Sequence, residues 1–200
     1  MFLNEQFMDE FQIFAKLGFT HITDLSGYDH ILFIVALCAT YTISQWKQLL
    51  ILITAFTIGH SVTLALAVLN IIQVNSELIE FLIPVTIVLT AVFNLGRPAR
   101  SKKTFGTLSY WLAAAFGLIH GMGFSNYLRS LLGRDSDIIA QLFAFNVGLE
   151  IGQLLIVFLI ILLTFIVTEI VKMKHQTWSV WLSGLAAGAA LVLMSQKWYF

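Results

Sequence analysis

Six stretches of this chain are apolar over about the 20 residues that a helix needs to cross a lipid bilayer, and that leaves few folds open to it. They lie at about Gly27–Ser44, Lys47–Asn70, Leu78–Leu95, Thr107–Tyr127, Ile138–Val171 and Trp178–Met194. Backbone groups in lipid find no water, so each stretch must satisfy its own hydrogen bonds as a helix. The expected fold is an all-α polytopic membrane protein with six transmembrane helices. Composition agrees: 58% of the 200 residues are hydrophobic and 11% charged, far from a soluble domain. The fifth stretch is too long for one perpendicular crossing and is expected to tilt or to begin outside the membrane. Pro84 falls inside the third, where it should kink the helix and free a carbonyl.

Ahead of these stretches, residues 1–20 place Phe7, Phe11 and Phe14 at helical spacing with Glu5, Asp9 and Glu10 on other faces. That pattern predicts an amphipathic helix lying at the membrane interface. Its acids, with no basic leader and no small-residue cleavage site, argue against a signal peptide. The chain thus divides into residues 1–26, an N-terminal interfacial helix and loop, and residues 27–200, the six-helix transmembrane domain.

Orientation follows the basic residues. Arg97, Arg100, Lys102 and Lys103 follow the third stretch, Lys172 and Lys174 the fifth, and Lys47 the first, so those three loops are expected on the cytoplasmic side and both termini outside. The outer side then carries Glu5, Asp9, Glu10, Asp24, Glu77, Asp135 and Asp137 against Lys16, Arg129, Arg134 and Lys197. An acidic outer face concentrates cations, although acids are also simply tolerated there. The sixth stretch is rich in small residues from Gly184 to Gly188, which suits close helix approach and a homo-oligomer contact. Trp178, Trp181, Trp198 and Tyr199 stand where interfacial aromatic belts belong.

An internal repeat emerges when the second and fifth stretches are aligned on Ala55-Phe56-Thr57-Ile58-Gly59 and Ala144-Phe145-Asn146-Val147-Gly148. Two halves of three spans each must insert in opposite senses, because three is odd. Such a 3+3 inverted repeat typifies secondary transporters, whose sites lie between the halves near mid-membrane.

Ionisable side chains inside apolar runs are expensive and mark functional sites by default. Here they are Asp29 and His30 at the mouth of the first stretch, His60 in the second, His120 in the fourth and Glu150 in the fifth, with His21 just ahead of the first. Counting helical rise puts Asp29 and His30 about 3–5 Å below the outer surface and the other three deeper. Either all form one site, or Asp29 and His30 are the outer ligands of a relay. Imidazole nitrogens with carboxylates suit nickel, cobalt, zinc, copper or iron, whereas an oxygen-only set would suit calcium or magnesium. Asp29 could instead orient His30 from behind. Asn146, Ser61, Thr63 and Asn94, with Thr57 and Thr86, are candidates for the pathway or for support of the ligands. The single Cys38 excludes a disulfide framework and a cysteine-based zinc cage. Zero formal net charge gives no reason to expect a nucleic-acid partner.

Gly18-Phe-Thr-His21, Gly27-Tyr-Asp29-His30-Ile-Leu-Phe33, Thr54-Ala-Phe-Thr-Ile-Gly-His60-Ser61-Val-Thr63, Phe116-Gly-Leu-Ile-His120-Gly121 and Phe145-Asn146-Val-Gly-Leu-Glu150 resemble the motifs of the bacterial HupE/UreJ membrane family. The resemblance implies a hydrogenase or urease accessory protein of the bacterial inner membrane, taken to be a nickel permease. His21 stands further from Asp29 than in the nickel-permease branch, and the fourth stretch offers His120 alone, so the metal stays open. The residues also allow an intramembrane metal-dependent hydrolase using the same histidines and Glu150, a haem carrier with two axial histidines, or a plain membrane scaffold.

Overall fold

The computed structural model describes residues 2–73, 75–96, 107–131 and 138–197. Arg97, Arg100, Lys102, Lys103, Arg134, Asp135, Asp137, Trp198 and Tyr199, on which part of the expected topology and aromatic belts rests, lie outside the described residues. Among the described residues all regular structure is helical: α1 (Phe2–Thr23), α2 (Asp29–Cys38), α3 (Trp46–Val68), α4 (Ser76–Leu95), α5 (Thr107–Leu131), α6 (Ile138–Phe165) and α7 (His175–Gln196). A 3-10 turn at Ile43–Gln45 leads into α3, and α6 runs on into a π-helical turn at Ile166–Ile170.

Four segments are long and apolar enough to cross a membrane: Ile43–Val68, Ser76–Leu95, Ile138–Ile170 and His175–Gln196. They match the second, third, fifth and sixth predicted spans. The fourth predicted span forms α5, a helix of 25 residues in which Ser109, His120, Ser125 and Asn126 interrupt the apolar face.

The first predicted span is corrected. Only Asp29–Cys38, 10 residues, is α-helical, roughly 15 Å long against a hydrocarbon core of about 30 Å. The sequence stays apolar past Cys38, but the backbone N–H of Thr42 donates to Gln45 Oε1 at 3.1 Å, and this turn starts the path into α3. The N-terminal helix is corrected too. It does not lie across the end of the bundle but runs alongside α6, in the same direction: Ala15 meets Gly148, Gly18 meets the backbone of Phe145 and Leu149, and Ile22 meets Gly152. A methyl group on Gly18 or Gly148 would overlap a carbonyl of the neighbouring helix, so glycine is what permits this approach.

A second pair is packed the same way. α3 and α5 also run in one direction, with Gly59 against Ala114, Gly117 against Phe56 and His60, and Gly121 against His60 and Thr63. Close backbone contact of this kind drives helix association where lipid removes the hydrophobic incentive. α2 packs on α4, α6 and α7, and Asn94 Nδ2 ties α4 to it by donating to the Ala36 carbonyl at 2.7 Å. Beneath the start of α2 the interior is apolar and closed, with Phe33, Ile34, Phe56 and Ile87 at most 1% exposed.

Candidate metal centre

Four imidazoles meet where α1 ends and α2 begins. α1 carries the chain down beside α6, so α2 starts within the bundle rather than at its rim. His30 lies 5.0 Å from His120 and 6.1 Å from His60 between ring centroids; His21 lies 4.7 Å from His30 and 6.1 Å from His60. Ligand atoms of His21, His30 and His60 all lie within 4.8 Å of one another. His30 thus shares one cluster with His60 and His120.

Hydrogen bonds fix which nitrogen of two rings is free. His30 Nδ1 is 2.8 Å from Asp29 Oδ1, a carboxylate that can only accept, so Nδ1 carries the proton and the lone pair sits on Nε2. That Nε2 is buried without a partner. His120 Nε2 is 3.0 Å from Thr86 Oγ1, whose own proton goes to the Ile83 carbonyl at 2.7 Å. Thr86 therefore accepts from Nε2–H, and the lone pair of His120 sits on Nδ1, again buried and unpartnered. Both nitrogens of His60, which is wholly buried, and Nε2 of His21 lack partners as well. Buried polar atoms are nearly always paired in native proteins, and neutral nitrogens gathered in this way are the donor set a transition metal takes. A carboxylate behind a ligating histidine is the usual device for orienting it.

Aromatic rings wall the cluster. Phe124 packs at a tilt against His21 at 3.9 Å and Phe33 at a tilt against His120 at 4.9 Å, while Phe145 lies nearly parallel to His60 at 6.4 Å. A cavity of about 170 Å³ leads from the cluster to Asp24, Glu80 and Lys197.

Glu150 sits elsewhere. Its Oε1 accepts from Thr54 Oγ1 at 2.9 Å, about 9 Å along α3 from His60. It belongs to a polar seam between α3 and α6 that includes Thr57 donating to Gln153 at 2.7 Å and Ser61 donating to Asn146 at 2.6 Å. Thr63 donates to the Leu118 carbonyl at 2.8 Å, and Asn94 is engaged with α2, so neither faces the cluster as a ligand. Gln153 is a member of the seam that the sequence signals only by spacing: Asn146, Glu150 and Gln153 on α6 and Thr54, Thr57 and Ser61 on α3 repeat at helical intervals. Glu80, on the cavity wall, carries no sequence signal beyond its charge. His175 lies 3.3 Å from the Tyr41 carbonyl through Nε2 and joins the start of α7 to the turn after α2.

No curated protein and no solved structure matches this sequence. The family model described as HupE / UreJ protein matches residues 1–200, so the chain whose helices converge on these histidines belongs to the HupE/UreJ family.

Proposed function

We propose that this protein is a permease for a divalent transition-metal ion, nickel or a close relative, in the bacterial inner membrane. The observation that carries the reading is the set of unpartnered lone pairs on His21, His30, His60 and His120 converging in one buried cluster. His30 and His60 with His120 and His21 are its ligands, Asp29 supports His30, and the ion is the cargo. Glu150, Asn146, Ser61, Thr57 and Gln153 line the seam that leads from the cluster toward the cytoplasmic side, with Asn94 and Thr63 holding its walls.

Six crossings are kept in this reading by counting α1 and α2 as one helix interrupted at the site. Discontinuous helices at the binding site are a recurrent transporter device. The inverted repeat gains support from contacts. Ala15, Gly18 and Ile22 face Gly148, Phe145 and Gly152 as Ala114, Gly117 and Gly121 face Gly59, Phe56 and Thr63, and on that correspondence His21 is the counterpart of His120. The small-residue face of α7, where Gly184 and Gly188 look onto open space, suits self-association.

Hydrolysis is less well served. A metallohydrolase needs a carboxylate beside the metal-bound water, but Asp29 is taken up by His30 and Glu150 lies on the α3–α6 seam. The test is elemental analysis of purified protein with nickel and cobalt titration, followed by uptake into proteoliposomes. Stoichiometric binding and saturable uptake are expected; protein that binds no transition metal overturns the proposal, and bound metal with hydrolytic turnover but no uptake replaces it with the enzyme.

A further inference from the structure

The cavity above the histidines has a mouth of its own. It opens past Asp24 and Glu80, and across it Lys197 Nζ donates to Glu80 Oε2 at 3.2 Å. Its floor is formed by His30 and His120, 5% and 0% exposed, whose free nitrogens are buried and unpartnered. At about 170 Å³ the space holds around five waters at about 30 Å³ each, enough for a hydrated ion and too little for a lipid or a peptide. Glu80 belongs to α4 and Lys197 to the end of α7, so the pair ties two helices together over the mouth.

We propose that the Glu80–Lys197 ion pair is a latch on this vestibule. When it opens, Glu80 and Asp24 take an incoming hydrated divalent cation before its waters are exchanged for imidazole nitrogens. The inference rests on the metal-site reading above and adds to it a capture point and a gate. While the latch is shut the ammonium of Lys197 occupies the mouth of this cavity, and the carboxylate of Glu80 is neutralised. A divalent ion competes with Lys197 for the same oxygens. Lys197 and Glu80 side chains are 37% and 51% exposed, and exposed pairs contribute only about 0.2–1 kcal/mol. The latch therefore opens readily and slows passage rather than blocking it. Among the described residues, the charged groups facing the vestibule are Asp24 from the α1–α2 link, Asp29 from α2, Glu80 from α4 and Lys197 from the end of α7.

Stopped-flow binding and chelator-driven release of cobalt(II), followed by its visible absorption on imidazole ligands in the full-length protein in nanodiscs, tests this. Lys197→Met should speed both association and release by about two- to fivefold, the factor that an exposed ion pair's energy allows, and leave the equilibrium affinity nearly unchanged. Glu80→Gln should speed release without speeding association, because the capture carboxylate is lost with the latch. In a Glu80→Gln background, Lys197→Met should add nothing. If Lys197→Met still speeds association there, the lysine acts only as a repelling charge and the latch is overturned. If single variants match wild type in both rates, the latch is overturned while the histidine site stands. Wild type showing no cobalt absorption overturns the site itself, and the latch with it.

Discussion

Gly59 and Gly117 seat α3 against α5, and Gly18 and Gly148 seat α1 against α6, with the same backbone-to-backbone closeness, yet the two pairs present their histidines differently. His60 and His120 stand mid-helix, both fully buried, each held by a continuous helix on either side. His21 stands two residues before α1 ends and His30 two residues into α2, with the link at 24–28 between them. One wall of the cluster is fixed by regular structure, and the other is carried on a break. On the permease reading proposed above, an ion in transit needs both, a wall that defines the coordination and one that can withdraw from it. In helical terms the break is the cheaper of the two to move, because rotation about a short link disturbs no intrahelical hydrogen bond.

The sharpest way to break this comparison is to spoil each helix pair in turn. Gly117→Leu forces a side chain into the Phe56 carbonyl and the His60 backbone, in a pair built into the bundle. Overpacking ordinarily costs about 1–3 kcal/mol, and backbone on both sides leaves nothing to relax, so no monodisperse protein is expected on size-exclusion chromatography. Gly18→Leu meets the Phe145 carbonyl just as closely. Apart from α6, however, α1 makes only slight contact with α2 and reaches α3 and α5 through the His21 ring. This variant should run as a folded species that has lost cobalt absorption, because α1 and His21 are displaced. Equal collapse of both variants would show that α1 is as structural as α5.

Next in size is the removal of single ligands. Structural metal sites bind with roughly 10–16 kcal/mol spread over four ligands, so each is worth on the order of a hundredfold in affinity. His60→Ala should lose that factor in a cobalt titration, since the ring is fully buried and water has no open route to its place. His21→Ala should lose less, because the ring borders open cavities on two sides and water can take its position. If His21→Ala is the worse of the two, the mobile wall sets affinity and the fixed wall merely frames it.

Much of the fold was legible in the chain because lipid solubility demands long apolar runs, and five of the six predicted stretches became helices close to their expected bounds. What failed was the segment from His21 to Thr42. Its apolar run does not end where α2 ends, and the turn after Cys38 depends on Thr42 and Gln45 rather than on glycine or proline. The place of α1 was illegible for a related reason. Phe7, Phe11 and Phe14 are as compatible with an interface as with a neighbouring helix, and the deciding residues, Ala15 and Gly18, gain meaning only opposite Gly148 and Gly152. For the site, His30, His60 and His120 were legible as buried imidazoles, and their company with His21 was not. Depth counted from a span that began at Gly27 put His30 near the surface, whereas in the bundle it is buried beside His21, His60 and His120. Glu150 looked like a ligand from its place in an apolar run, but its carboxylate pairs with Thr54, about 9 Å along α3 from His60.

The smallest effects expected concern what stands behind the ligands. Asp29 fixes the proton of His30 on Nδ1 through a carboxylate, and Thr86 fixes that of His120 on Nε2 through a neutral hydroxyl. Groups in this position usually contribute about 10–100-fold to metal affinity, and a charge-assisted hydrogen bond is about twice as strong as a neutral one. Asp29→Asn should therefore fall toward the upper end of that range. Thr86→Val, which keeps the shape and removes the acceptor, should fall near the lower end. Cobalt titrations of the two variants give the ratio directly. An Asp29→Asn loss larger than that of Thr86→Val means that the wall on the break compensates for its mobility with charge, holding the imidazole in register by electrostatics where the continuous helices do it by packing. The reverse order would mean that the ion is held chiefly from the α5 side and that His30, for all its proximity, follows the ion rather than fixing it.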